Sequence, residues 1–291
     1  MKDFNPCALL LATLLCYLSP GASAADQDRA AGPAVADAGT ATPTVEVTAV
    51  RDDRDEKSYR KILDGMDVFE KNRQLAPGAA LRFKVLPRQP GVDLQGLVLQ
   101  LRGEHTKIAI PVNADMSFSL PRDPVAAQDD AIVASNRKSK SLTWRAEIRS
   151  PGMPAKTRRL GDLLLECKVG MVADLVAYVP TPINVLITKL PDPCRSLSIN
   201  MFYFTERPLF SVTLSHGTRR LVLPAAQLHG PDMPVLTSLQ DWYFLRDRAF
   251  MMQFKPLYEQ GWPDDTMLEF DYMDEDAASS GEQTHVAGTG Q

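Results

Sequence analysis

The stretch GLVLQLRGEHTKIAIPVNADMSFSLP, residues 96–121, decides the fold class of this chain. It contains three short runs rich in apolar and β-branched residues, at 96–103, 107–112 and 117–121. Turn-forming residues separate the runs, and no helical periodicity lies between them. Short strands at this spacing are typical of a β-sandwich.

Further strand-like runs lie on both sides of this stretch. They occur at 44–50, 81–87, 131–136, 142–149, 160–169, 196–204, 209–215, 219–224, 249–255 and 266–272. We therefore predict a mainly β chain with one or two β-sandwich-like modules. Residues 44–169 would hold a strand, a helix and the first β-rich module, and residues 170–273 would hold the second.

One segment near the start of the folded region has helical periodicity instead. From Glu56 to Leu75, apolar residues recur at spacings of three and four: Tyr59, Ile62, Leu63, Met66 and Phe69. This pattern predicts an N-terminal amphipathic helix, capped by Asp55 or Ser58. Its apolar stripe is expected to seal the β-core, with a partner groove as the alternative.

The segment NADMSFSLPRD, residues 113–123, predicts a corner of the sandwich. Asn113 and Asp115 can turn the chain because their side chains bond to nearby backbone groups. Met116 stands where a glycine is usual in such turns. Phe118 and Leu120 share one face of the strand that follows, which indicates a buried face.

Two family resemblances follow from these and other segments. The pattern of residues 96–121 resembles the carboxypeptidase-regulatory, transthyretin-like β-sandwich, with Met116 replacing the usual glycine. More broadly, residues 90–103, 136–138, 149–167 and 262–272 resemble an uncharacterised family of exported Gram-negative bacterial proteins. That resemblance implies a periplasmic β-rich fold and brings no activity and no functional residues.

The first 24 residues have the pattern of a secretory signal peptide. Lys2 precedes an apolar run from Ala8 to Leu18, and the small residues Ala22-Ser23-Ala24 predict cleavage after Ala24. Lipoprotein processing at Cys16 is the alternative, although Leu15 is larger than the residue expected before such a cysteine. We expect a periplasmic or secreted protein with no transmembrane segment after signal removal.

The composition of two segments predicts disorder. Residues 25–43 are expected to form a disordered spacer, and residues 274–291 a disordered acidic tail.

Cys167 and Cys194 are the two cysteines that remain once the signal is removed. In an oxidising compartment two cysteines most often pair, so we predict a disulfide. A metal-binding or reactive pair is the alternative, but no CxxC spacing accompanies it.

The common catalytic and cofactor motifs are missing from the sequence. No HExxH, GxSxG, GxGxxG or GxxxxGK[ST] motif occurs, and the histidines fall in turn-like segments or the tail: His105, His216, His229 and His285. We therefore predict no metal, no cofactor and no catalytic residue.

Charge is distributed unevenly along the chain. Eight basic residues lie within 23 positions, opposed only by Glu147: Arg137, Lys138, Lys140, Arg145, Arg149, Lys156, Arg158 and Arg159. The plain interpretation is that they face solvent or the acidic C-terminal region. The sharper one is an anion- or partner-binding surface at 137–159. Nucleic acid is not expected as a ligand of an exported chain with a net charge of −4.

These observations favour a non-catalytic periplasmic binding or structural protein of the cell envelope. The expected contact is an envelope protein or an anionic envelope polymer at residues 137–159. The alternative is an envelope glycan or ester hydrolase that uses scattered carboxylates such as Asp130 or Asp265.

Overall fold

The computed structural model of this protein describes residues 54–176, 182–187, 189–228 and 247–273. The predicted signal peptide, the spacer 25–43, the strand 44–50 and the tail 274–291 lie outside the described residues. His229 and His285 also lie outside them. No helix in the described ranges has the length and apolar character needed to cross a lipid bilayer.

Antiparallel strands dominate the regular structure of the described ranges. The strands are β1 (Arg54–Ser58), β2 (Ala80–Pro87), β3 (Leu99–Arg102), β4 (Lys107–Ile110), β5 (Ser117–Phe118), β6 (Ile132–Lys138), β7 (Leu142–Arg149), β8 (Thr157–Arg159), β9 (Met201–Phe204), β10 (Leu209–His216), β11 (Arg219–Val222), β12 (Ala249–Met252) and β13 (Met267–Tyr272). The prediction of a mainly β, sandwich-like chain is confirmed.

Helices accompany the strands in the described ranges. The α-helices of the described residues are α1 (Tyr59–Lys71), α2 (Pro124–Gln128), α3 (Leu160–Val172), α4 (Pro182–Ile187), α5 (Pro193–Ser196) and α6 (Phe254–Glu259).

Helix α1 is the predicted N-terminal amphipathic helix. It begins after Ser58, whose hydroxyl accepts a 3.4 Å hydrogen bond from the backbone N–H of Lys61, so Ser58 is the cap. The helix ends at Lys71, before the predicted Leu75, because the chain tightens there into a 3-10 turn. Four members of the apolar stripe are buried: Tyr59, Ile62, Met66 and Phe69. The stripe therefore seals the β-core, as predicted.

Two sheets form a sandwich from residues 54–149. One sheet has the order β1-β6-β3-β4 and the other the order β5-β2-β7. Side chains from both sheets and from α1 share one core, which includes Phe83, Val85, Leu99, Leu101, Phe118, Val133 and Trp144. The consecutive strands β6 and β7 lie in different sheets, so residues 139–141 form a turn that connects the two sheets.

The segment at residues 113–118 is a corner of this sandwich, as predicted. The Met116 N–H donates to the Asn113 carbonyl at 2.9 Å, and the Asp115 carboxylate accepts the Ser117 N–H at 3.1 Å. Met116 has φ of 62°, in the left-handed region that favours glycine and costs other residues about 1–2 kcal/mol. Phe118 is buried edge-on against Trp144. The protein therefore tolerates Met116 at a position where glycine is usual, at the cost of local backbone strain.

The remaining strands form two further sheets around a second core. Their orders are β11-β10-β13-β8 and β12-β9. Strand β8 lies in the predicted first module, yet it pairs with β13 of the predicted second module. The division of the chain at residues 169 and 170 stays a prediction.

The prediction of a strand at residues 160–169 is wrong, because these residues belong to helix α3. Its side chains are buried on almost every side: Leu160, Leu163, Leu164, Leu165, Cys167 and Val169. A helix surrounded by protein has no polar face, so its sequence lacks the period of an amphipathic helix. A short, continuous apolar run of this kind cannot be distinguished from a buried strand by periodicity.

The predicted disulfide joins Cys167 on α3 to Cys194 on α5. Both cysteines are buried in the second core, and their Cα atoms are 6.1 Å apart. The bond therefore ties α5 to the central helix of that core.

A buried carboxyl group connects β1 to β7. Asp55 is 5% exposed and accepts a hydrogen bond from the indole N–H of Trp144. Burial raises the pKa of Asp55 above its ordinary value of 3.8, because desolvation disfavours the carboxylate.

We expect Asp55→Asn to be more stable than the wild type at pH 7, with the difference shrinking towards pH 3. The raised pKa means that the folded protein binds this proton more tightly than the unfolded chain. Its contribution to stability is therefore complete below the unfolded pKa of about 3.9 and is lost as pH rises through the folded pKa. Urea unfolding of both proteins across this range measures the difference.

Asp67→Asn is the control for this prediction, because its carboxylate is 68% exposed. A wild-type-minus-variant difference for Asp55→Asn that does not change with pH would contradict the assignment.

Candidate anion-binding pocket

Four of the eight basic residues at 137–159 line one cavity of about 250 Å³. They are Arg145, Arg149, Lys156 and Arg158. Six strands contribute side chains to the cavity wall, namely β2, β7, β8, β9, β12 and β13.

The other four basic residues lie elsewhere. Arg137 donates to the backbone carbonyls of Asp93 at 2.9 Å and Gln95 at 2.5 Å. Lys138 and Lys140 are exposed at the edge of the sandwich. Arg159 donates to the Ser150 hydroxyl at 3.1 Å. These four residues are therefore outside the lining of the cavity, and a binding surface along residues 137–159 stays a prediction.

Period two along β7 explains how its charged residues reach the cavity. Trp144, Ala146 and Ile148 point into the protein cores, while Arg145, Glu147 and Arg149 alternate with them and line the cavity. Successive side chains of a strand point to opposite faces, so this arrangement follows from the sequence once β7 is recognised.

The cavity also contains cations that sequence reasoning missed. Lys84 lies opposite Arg145 in the β2–β7 register, and Arg207 comes from the segment after β9. With these two residues the lining has six basic side chains and three acidic ones, Glu147, Glu166 and Glu206. The wall also contains aromatic side chains: Tyr203, Phe204, Phe250, Phe270 and Tyr272.

Two of the acidic residues compensate Lys84 and Arg149. The ammonium nitrogen of Lys84 lies 3.7 Å from a Glu147 carboxylate oxygen and 3.2 Å from one of Glu206. The Nε of Arg149 lies 3.5 Å from the same Glu147 oxygen.

The third acidic residue forms a buried ion pair with Arg158. Glu166 Oε1 accepts from Arg158 Nη2 at 2.5 Å and from the Ile148 N–H at 2.7 Å. Burial raises the pKa of Glu166, while the adjacent carboxylate keeps the pKa of Arg158 above its ordinary value. The Arg158 side chain is 9% exposed, and its Nε has no hydrogen-bond partner among the described residues.

Arg145 has no carboxylate within the 4.0 Å of an ion pair among the described residues. Its Nη2 donates to the Phe202 carbonyl, and its guanidinium carbon lies 4.5 Å from the centre of the Phe204 ring. Burial lowers the pKa of Arg145 to about 10, because attraction by the Glu166 carboxylate offsets the loss of hydration only in part and Arg158 repels the guanidinium. The group is still cationic at neutral pH, and the Glu166 carboxylate, already paired with Arg158, compensates its charge only in part.

The carboxylates considered for hydrolysis lie outside this cavity. Asp130 pairs with Arg60 at 2.5 Å, and Asp265 lies 3.5 Å from His216 at an exposed hairpin. Neither pair lines the pocket, and the structure does not bring Asp130 and Asp265 together within it.

One group in the described ranges has the spacing of a metal site. Ligand atoms of Glu104, His105 and Asp129 lie within 4.8 Å of one another at the β3–β4 turn. Asp129 already accepts the His105 backbone N–H at 2.8 Å, so its position has a structural explanation. The prediction of no metal stays a prediction.

Comparison with protein-family models, curated proteins and solved structures gives no match for this chain. Both family resemblances stay predictions, and the assignment of function depends on the residues of the pocket.

Proposed function

We propose that this chain is an exported, non-catalytic binding protein of the cell envelope and that it binds an anionic ligand in the cavity beside β7. The proposal is carried by the position of Arg145, a cation with no carboxylate within 4.0 Å among the described residues, in a cavity where basic residues outnumber acidic ones.

A bound anion would add negative charge beside Arg145, in a lining that has six basic and three acidic side chains. An ion removed from water costs several kcal/mol unless an opposite charge compensates it. The planar guanidinium group presents paired N–H donors that match a carboxylate or phosphate. Burial of the Arg145 cation costs stability, and ligand binding gives a physical reason why the residue is kept in this position.

Export has its own support in the sequence and in the disulfide. Residues 1–24 have the pattern of a signal peptide, and disulfides such as Cys167–Cys194 are typical of oxidising compartments. A periplasmic or secreted location therefore forms part of the proposal.

We expect Arg145→Gln to lose anion binding by at least about tenfold in Kd, which corresponds to about 1.4 kcal/mol. Glutamine keeps a polar side chain of shorter reach but carries no charge. Calorimetric titration with phosphate, acetate and benzoate at constant ionic strength measures the change.

Arg137→Gln is the matched control, because the same substitution removes a cation that lies outside the cavity. Equal losses in the two variants would show diffuse surface electrostatics and would contradict the pocket assignment. Wild-type protein that binds none of the three anions would contradict the proposed function.

A further inference from the structure

The size of the cavity restricts its ligand to a small molecule. At about 250 Å³ it is smaller than the roughly 300–1,000 Å³ of pockets that hold drug-sized ligands. A polymer lying across residues 137–159 would need the eight basic residues on one surface, yet only four of them line this cavity. The geometry therefore favours a short anion over an envelope polyanion.

The cationic end of the cavity is suited to a single oxyanion group. Arg145 has no carboxylate within 4.0 Å among the described residues, and Arg158 shares the single carboxylate of Glu166 with the electrostatic field of Arg145. Both side chains line the same cavity. A carboxylate between them would accept from guanidinium N–H groups that face the cavity and add negative charge beside the two cations.

Aromatic residues in the wall indicate the rest of the ligand. The guanidinium carbon of Arg145 lies 4.5 Å from the centre of the Phe204 ring, and that of Arg207 lies 4.3 Å from the centre of the Tyr272 ring. These contacts restrain both guanidinium groups beside ring surfaces. A bare inorganic anion would use none of this apolar wall, whereas an aromatic body would bury its own surface against it.

We infer that the ligand is a small aromatic acid, bound by its carboxylate at Arg145 and Arg158 and by its ring among the aromatic residues of the wall. This inference rests on the proposed function, since it names the ligand class of the same cavity. The carboxylate supplies orientation, and the ring supplies the apolar contact that separates this ligand from acetate or phosphate.

A matched set of probes tests the two parts of the inference. Benzoate and acetate share the carboxylate and differ in the ring, whereas benzoate and benzamide share the ring and differ in charge. We expect benzoate to bind the full chain at least about tenfold more tightly than acetate, and benzamide to show no saturable binding. Ligand-observed NMR titration at constant pH and ionic strength gives each Kd.

Two variants assign the contacts. Arg145→Gln should weaken benzoate by at least about tenfold, while Phe204→Leu should bring the benzoate and acetate affinities closer together. Circular dichroism and urea unfolding verify that each variant is folded, and Arg137→Gln should keep the wild-type affinities.

The outcomes separate this inference from the proposed function. Acetate or phosphate binding as tightly as benzoate, with loss in Arg145→Gln, would overturn the aromatic class and leave the anion pocket intact. Tighter binding of poly-glutamate than of benzoate, unchanged in Arg145→Gln, would overturn both. Absence of binding by every anion would also overturn both.

Discussion

Replacement of Cys167 and Cys194 by alanine is expected to lower the free energy of unfolding by about 3–4 kcal/mol. The bond closes a loop with a sequence separation of 27 residues. Without it, the unfolded chain gains the conformational freedom that the cross-link removes, so the folded state loses relative stability. Urea unfolding of the double variant and the wild type at pH 7 measures the difference.

Reduction of the wild type supplies the control for the cysteine variant. Unfolding in excess dithiothreitol should reproduce most of the loss, because the same constraint disappears without any change of side-chain volume. A double variant within about 1 kcal/mol of the oxidised wild type would show that the cross-link contributes little to stability.

Glu166→Gln is expected to destabilise the folded protein by about 3 kcal/mol, the lower end of the range for breaking a buried ion pair. Glutamine keeps an oxygen that can accept from Arg158 and from the Ile148 N–H. The variant therefore removes the negative charge alone and leaves the cation of Arg158 uncompensated in an environment where only 9% of its side chain is exposed. Urea unfolding at pH 7 again gives the change.

Two comparisons distinguish the buried charge from a general effect of the substitution. Glu70→Gln breaks an exposed pair with Arg73, whose side chain is 58% exposed, and should cost less than about 0.5 kcal/mol. Arg158→Met combined with Glu166→Gln removes both charges and should recover much of the loss. A Glu166→Gln variant as stable as Glu70→Gln would contradict the proposed role of this pair.

The sandwich was predictable because its signals are local. Alternation along residues 142–149 predicts β7 and also predicts that Arg145, Glu147 and Arg149 share a face. Turn chemistry at Asn113–Asp115 predicts the corner, and the positive φ of Met116 explains why a glycine is usual there. In each case the pattern and its structural cause lie within a few residues of one another.

Helix α3 and the complete pocket were not predictable in this way. The helix is buried on almost every side, so its apolar residues carry no period that would distinguish it from a strand. The pocket depends on the pairing of β8 with β13, more than 100 positions apart, which brings Tyr272 into the same wall as Lys156 and Arg158. Local sequence does not encode that register.

Long-range sheet topology also explains why the basic residues of 137–159 do not all line the cavity. Eight basic residues within 23 positions indicate a single surface only if the chain between them stays on one side of the protein. Here β6 and β7 lie in different sheets, so Arg137 and Arg145 are separated into different environments. Of the eight basic residues that cluster in the sequence, four line the pocket and four lie outside it.

The side-chain resonances of the arginines provide the most direct test of the central claim, that the cavity beside β7 binds an anion. We propose to titrate ¹⁵N-labelled protein with benzoate and to follow the Nε–Hε signals of Arg145, Arg158 and Arg137. We expect saturable shifts of Arg145 and Arg158 with one common Kd and no shift of Arg137. Unchanged Arg145 and Arg158 signals, or shifts of equal size at Arg137, would contradict it.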